Sequence, residues 1–126
     1  MTYHPDLSGH VALVTGASSG LGRRSAEVLS QAGAQVVGVA RRSDALAELK
    51  QIHALPWDLS ERDGLSALAQ AASEPFGPPD ILVHAAGINT REVADDVTLE
   101  GWDITIELNL AVPFFLSQHL VTNMKT

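Results

Sequence analysis

The 126-residue sequence predicts an α/β domain in which helices cover both faces of a parallel sheet, a doubly wound arrangement. Three observations carry that expectation. Short runs of branched apolar residues, such as residues 11–14 and 35–40, have the length of buried strands rather than helices. Stretches with helical spacing separate these runs, and strand alternating with helix calls for βαβ units with right-handed crossovers. Between the first run and the first helical stretch stands Thr15-Gly16-Ala17-Ser18-Ser19-Gly20-Leu21-Gly22, a glycine-rich turn that opens a helix.

Taken in order, residues 1–10 are a polar lead-in broken by Pro5 and ending in Ser8-Gly9. The first strand follows, then the glycine-rich turn, then a helix whose Leu21, Val28, Leu29 and Ala32 are expected to share one face, with Gly33 as the stop signal. A second strand spans residues 35–40. Arg41-Arg42-Ser43-Asp44 is a turn in which Ser43 is placed to cap a short helix running to Lys50. Residues 52–57 make a poorer strand, interrupted by Pro56 and closed by Asp58-Leu59. Ser60-Glu61-Arg62-Asp63 resembles a capping box ahead of a helix over residues 65–72. Pro75-Phe76-Gly77-Pro78-Pro79 forces a loop, and residues 80–84 form a fourth strand ending at Ala85-Ala86-Gly87.

Composition narrows the class. The length suits one domain with a real core and is too short for two. A hydrophobic content of 45% with 18% charged residues is that of a globular chain. A net charge of −7 argues against nucleic acid or an anionic membrane as partner. With no cysteine there is no disulfide framework, and the five histidines show no metal-ligand spacing, so no metal site is expected. No apolar run reaches ~18 residues and the lead-in has no signal-peptide core. The expectation is a soluble, cytoplasmic domain.

The glycine-rich turn carries chemistry. Its glycines let backbone N–H groups approach an anion closely, and the positive end of the helix dipole faces the same point. Reading Gly20 and Gly22 as the start of G-x-G-x-x-G puts Ser25 in third place and ends the strand five residues too early. Reading from Thr15 gives T-G-x-x-x-G-x-G directly after the strand. Further on, Trp102, Ile104, Ile106, Leu108, Leu110 and Val112 alternate with more polar or smaller residues, which by period alone is a strand. Its length, a helix-start signal at Thr98 and the run on into Phe114-Phe115-Leu116 argue the other way.

Four landmarks now stand in order: the Thr15–Gly22 turn, Asp58-Leu59 after the third strand, His84-Ala85-Ala86-Gly87 after the fourth, and Asn109. In kind and spacing they resemble the short-chain dehydrogenase/reductase family across nearly the whole chain. The resemblance implies a Rossmann-type doubly wound parallel sheet, truncated after the fourth strand and the long helix that follows it. It implies that residues 102–121 are helix, and that residues 1–126 are one NAD(P)-binding domain whose C-terminal catalytic half is absent. Cofactor contacts are implied for Gly16, Ser18, Ser19, Gly20, Leu21 and Gly22 in the turn. They are implied too for Asp58 and Leu59 beside the adenine and for Ala85, Ala86 and Gly87 beside the ribose. The usual Asn-Asn of the last motif is His84-Ala85 here, which leaves the backbone role to the small residues. His84 itself reads as a packed or backbone-bonded histidine.

Charge argues for the cofactor type. Where NAD-binding folds carry a carboxylate for the ribose 2′-OH, this chain has Ala40 followed by Arg41 and Arg42. A carboxylate would repel a 2′-phosphate and an Arg fork pairs with it, so NADP is expected over NAD.

The resemblance further implies hydride transfer between nicotinamide and a carbonyl/alcohol substrate, with Tyr, Lys, Ser and Asn at the site. Only the Asn, Asn109, is present. The one tyrosine, Tyr3, precedes the first strand and has Leu7 four residues on. The chain alone is therefore expected to be inactive, its parent being the enzyme; a finished non-catalytic nucleotide-binding or assembly module is the alternative. Gly87-Ile88-Asn89-Thr90-Arg91, Trp102-Asp103 and the stretch after Asn109 look like the sugar-acid branch that includes gluconate 5-dehydrogenase, with 3-oxoacyl thioester reductases second and Arg91 a candidate for a substrate carboxylate. A homo-oligomer, dimer or tetramer, is expected through Phe114, Leu116 and Leu120, the alternative being that this face is wholly core. Finally, Pro113 has no N–H to give the Asn109 carbonyl four residues earlier, so the helix is expected to kink there and to free that carbonyl for a water.

Overall fold

The computed structural model describes residues 5–60, 62–88 and 90–125. Strands β1 (Val11–Thr15), β2 (Gln35–Ala40), β3 (Ile52–Pro56) and β4 (Ile81–His84) form one sheet in the order β3-β2-β1-β4. Every pairing is parallel. The helices are α1 (Gly20–Gln31), α2 (Ser43–Ala47), α3 (Leu65–Ser73), α4 (Leu99–Ile106) and α5 (Val112–Met124). This is the Rossmann-type architecture, and the period-2 alternation of the central strands explains its two layers. Leu13, Val37 and Val39 point to one face, where Leu65, Leu68, Val112, Leu116 and Leu120 of α3 and α5 cover them. Ala12, Val14 and Val36 point to the other, where Ala26 of α1 and Leu46 of α2 close the core.

Several local expectations shift. In α1 the packing face is Gly22 and Ala26, with Leu29 half-buried, while Leu21 is 85% exposed and Val28 exposed. Small residues let the helix lie close to the sheet, and the larger Leu21 and Val28 face solvent instead. Ser43 does not cap α2: it is the first helical residue, Arg42 holds the cap position without a side-chain bond, and Asp44 supplies negative charge in the first turn. The helix ends at Ala47, short of Lys50. Ser60 does not cap α3. Its N–H donates to Asp58 Oδ1 at 2.9 Å, and a 3₁₀ turn at Arg62–Gly64 leads into α3 from Gly64; Glu61 of the expected capping box lies outside the described residues.

Residues 102–121 are helical, as the resemblance implied, and Thr98 caps them, its Oγ1 accepting the Gly101 N–H at 2.9 Å. The alternating pattern has a consequence in a helix: it spreads apolar side chains around the cylinder, so Trp102, Ile104 and Leu110 are exposed. Between α4 and α5, Glu107–Ala111 is a π turn, with the Val112 N–H donating to the Glu107 carbonyl five residues back. In place of the kink expected at Pro113, the helix takes up one extra residue in the turn before it. By length and composition Leu99–Met124 could cross a membrane. In this fold its α5 portion instead buries Val112, Leu116 and Leu120 against the sheet. That burial also corrects the expected association face: Leu116 and Leu120 are core, and only Phe114 of the three is exposed.

Candidate functional site

The sheet order reverses between β1 and β4, and at such a switch point the two crossovers leave in opposite directions and open a crevice at the carboxyl ends of the strands. Here the crevice is a cleft of ≈ 590 Å³. Its floor is Gly16, Ser18, Ser19, Gly20, Leu21 and Gly22. One wall is Ala40, Arg41 and Arg42 after β2 with Trp57, Asp58, Leu59 and Ser60 after β3. The opposite wall is Ala85, Ala86, Gly87 and Ile88 after β4 with Ile104 and Leu108 of the long helical segment.

The floor is shaped by glycine where nothing else fits. Gly16 has φ +66, and a Cβ there would stand 2.7 Å from Ala85 C and Ala86 N. A Cβ on Gly22 would run into the Gly16 carbonyl. Thr15, buried at the end of β1, accepts the Ala85 and Ala86 N–H groups on its Oγ1, both at 3.2 Å, and so fixes the distance between floor and wall. Sequence reasoning read Thr15 only as part of the motif; a lone hydroxyl closing an otherwise apolar strand was the signal available. Ser19 holds the cap position of α1 with no side-chain bond, and the first turn has no acidic residue. The N–H groups and dipole of that turn are therefore left for an anion from outside.

Electrostatics on the first wall follow from geometry. Asp58 is held below the ordinary carboxylate range, chiefly by the Ser60 N–H, then by the Ser60 hydroxyl, with Arg41 adding a smaller attraction. It stays ionised, with Oδ1 engaged by its own turn.

Asn109 is set apart from the other predicted residues. It does not line the cleft; its amide closes on the wall from behind, Oδ1 accepting the Ile88 N–H and Nδ2 donating to the Ile88 carbonyl, both at 2.8 Å. The side chain is thereby committed to holding the strand-end loop. Gly87 leaves room for it, since a Cβ there would sit 3.1 Å from Oδ1. His84 differs from expectation: its Nε2 lies 2.9 Å from Ser117 Oγ, a side-chain rather than a backbone partner, and burial lowers its pKa. His84 and Ser117 border a second groove, which Asn109 also lines together with Leu110, Pro113 and Phe114. Arg91 lies on the loop before α4 with φ 56, outside the cleft lining; Asn89 and Tyr3 lie outside the described residues. Among the described residues no cluster of His, Cys, Asp or Glu could hold a metal.

A parallel sheet with a glycine-rich βα turn and an open helix N-terminus at its switch point defines a dinucleotide-binding class of protein. Comparison with known proteins gives the family within that class. The short chain dehydrogenase pattern matches residues 10–126, and the chain belongs to that family. It is 37% identical over 119 residues to 2-dehydro-3-deoxy-D-gluconate 5-dehydrogenase of Dickeya dadantii, covering 90% of this chain and 47% of the relative. It is 36% identical over 127 residues to a rhamnolipid-biosynthesis 3-oxoacyl-[acyl-carrier-protein] reductase of Pseudomonas aeruginosa, covering 94% and 50%. The crystal structure of L-sorbose reductase from Gluconobacter frateurii, complexed with NADPH and L-sorbose, superposes with a TM-score of 0.89 at 31% identity, covering 98% of this chain and 50% of that one. The chain thus spans about half the length of these relatives.

Proposed function

We propose that this chain is the cofactor-binding domain of an NADP-dependent oxidoreductase acting on a carbonyl/alcohol substrate. One observation carries the reading: residues from four separate segments, after β1, β2, β3 and β4, line a single cleft at the switch point. When bound, the cofactor supplies or accepts the hydride. The protein's part is positional. Gly16 and Gly22 admit a pyrophosphate close to the backbone, and the first turn of α1 offers it N–H donors. Asp58 accepts from the adenine side, and Ala85, Ala86 and Gly87 pass beside the ribose. Arg41 and Arg42, where a carboxylate would favour NAD, favour the 2′-phosphate of NADP, and the relative crystallised with NADPH supports that choice.

Asn109 spends its amide on Ile88, so its contribution to proton transfer is its main-chain carbonyl, to which Pro113 cannot donate. The chain's one tyrosine has no lysine four residues on, and its own turnover with NADP is therefore expected to be nil; measurable turnover by material of verified mass contradicts this. For the parent enzyme, the names of its relatives support a sugar acid or sugar first and a 3-oxoacyl thioester second. The exposed row Leu110, Phe114 and Val121 supports a homo-oligomer, which sedimentation equilibrium would report as a dimer or tetramer.

Calorimetry with NADP and NAD tests the reading. NADP should bind more tightly, and Arg41→Ala should cut the NADP preference by about tenfold or more, the worth of a charge-assisted bond. Equal affinities in the unaltered chain, or a ratio untouched by Arg41→Ala, would contradict it.

A further inference from the structure

We propose that Arg62 and Glu107 are a positioning pair, a clasp that holds the register of the π turn and so keeps the Asn109 amide on Ile88; its consequence for cofactor binding rests on the reading above. The contact joins residues 45 apart in sequence. Arg62 Nε donates to Glu107 Oε1 at 2.9 Å and Nη2 donates to Oε2 at 2.6 Å, a fork on a fork. The Arg62 backbone N–H adds a third contact, to Oε1 at 3.2 Å. The guanidinium carbon also lies 5.4 Å from the centre of the Phe115 ring. Arg62 therefore grips the helix on both sides of the π turn, at residue 107 where it begins and at residue 115 beyond it.

The location gives the grip its purpose. Arg62 opens the 3₁₀ turn that follows the Trp57–Ser60 wall of the cleft, and Glu107 sits between Ile104 and Leu108 of the opposite wall. A π turn holds one residue more than the helix around it, and that extra residue can sit one position earlier or later at little cost in backbone bonds. A slip by one rotates Asn109 by about 100° around the helix and takes its amide off Ile88. Contacts internal to the helix distinguish these registers poorly. A fork rooted in a different segment distinguishes them well, because it has one partner, Glu107, at one angle. Exposed ion pairs contribute little as a rule. This one differs in being bidentate and backed by an aromatic ring, and in leaving the Glu107 side chain only 21% exposed.

The reporter is the Ile88 N–H, which donates to Asn109 Oδ1, and its hydrogen exchange can be followed by NMR beside that of a central-strand amide such as Val37. In Glu107→Gln, and separately in Arg62→Gln, Ile88 exchange should rise on the order of threefold or more relative to Val37. The double variant should add nothing further, as for two halves of one interaction. The charge exchange Arg62→Glu with Glu107→Arg should restore protection, and it serves as the second reading should a single variant fold poorly. Ile88 and Val37 shifting in step, or additive single effects, would overturn the clasp. NADP binding to the unaltered chain is measured separately, so that its failure would fall on the cofactor reading and leave the exchange result standing.

Discussion

The two ends of the sheet solve opposite problems. At the N-terminal ends of β1 and β4 the protein closes on itself. Asp80 accepts the Val11 N–H on Oδ1 at 2.8 Å, its Oδ2 lies 2.7 Å from His10 Nδ1, and its own N–H donates to the Val11 carbonyl. At the C-terminal ends Thr15 ties β1 to the segment after β4, but around the glycine-rich turn the chain withholds such partners. Ser19 caps nothing with its side chain, no acid neutralises the first turn of α1, and glycine removes the side chains that would fill the space. The contrast locates function: satisfied polar groups hold strands in register, while unsatisfied donors arrayed around a cavity are left for a ligand.

Substitutions at each end should therefore separate stability from binding. The largest effect is expected at the open end. Gly16→Val forces a side chain into a left-handed backbone against Ala85 and Ala86, and should cost about 2–4 kcal/mol in urea unfolding and abolish NADP binding. A variant that still bound NADP would mean that the turn does not approach the ligand. At the closed end, Asp80→Asn should lower stability modestly and leave NADP affinity as it was. Burial alone would raise the Asp80 pKa, yet the bonds from the Val11 N–H and His10 hold it below its ordinary 3.8. A carboxylate depressed in the folded state stabilises fully above its unfolded pKa, and that contribution fades as pH falls from about 4 through the lowered value. Asp80→Asn should flatten this acid limb of the stability curve; an unchanged limb would mean that another group governs it.

What the sequence displayed of this arrangement tracks how local each signal was. The strands and the glycine-rich turn were legible because branched residues and glycines act on their own backbone; β2 lies where its residues placed it. Most cleft residues were legible as motifs because they stand at strand ends, whereas Trp57, Ile104 and Leu108, the last two brought in by the helical segment, were not. Features set by tertiary contact were not. The buried face of α1 falls on Gly22 and Ala26 because the sheet selects small residues, whereas spacing favoured the larger leucines and valine. Leu116 and Leu120 looked suited to an interface until the sheet was there to cover them. Pro113 did announce a break in the helix, but it suggested a kink, and the π turn that forms instead depends on partners such as Arg62, 45 residues from the Glu107 it grips.

The most direct test of a ligand cleft at the open end is an NMR titration of the 15N-labelled chain with NADP. The account predicts that the amides of Gly16, Gly20, Gly22, Asp58 and Ala86 shift in a saturable way while those of Val11 and Asp80 stay in place. Shifts centred on Val11 and Asp80, or none at millimolar NADP, would contradict it.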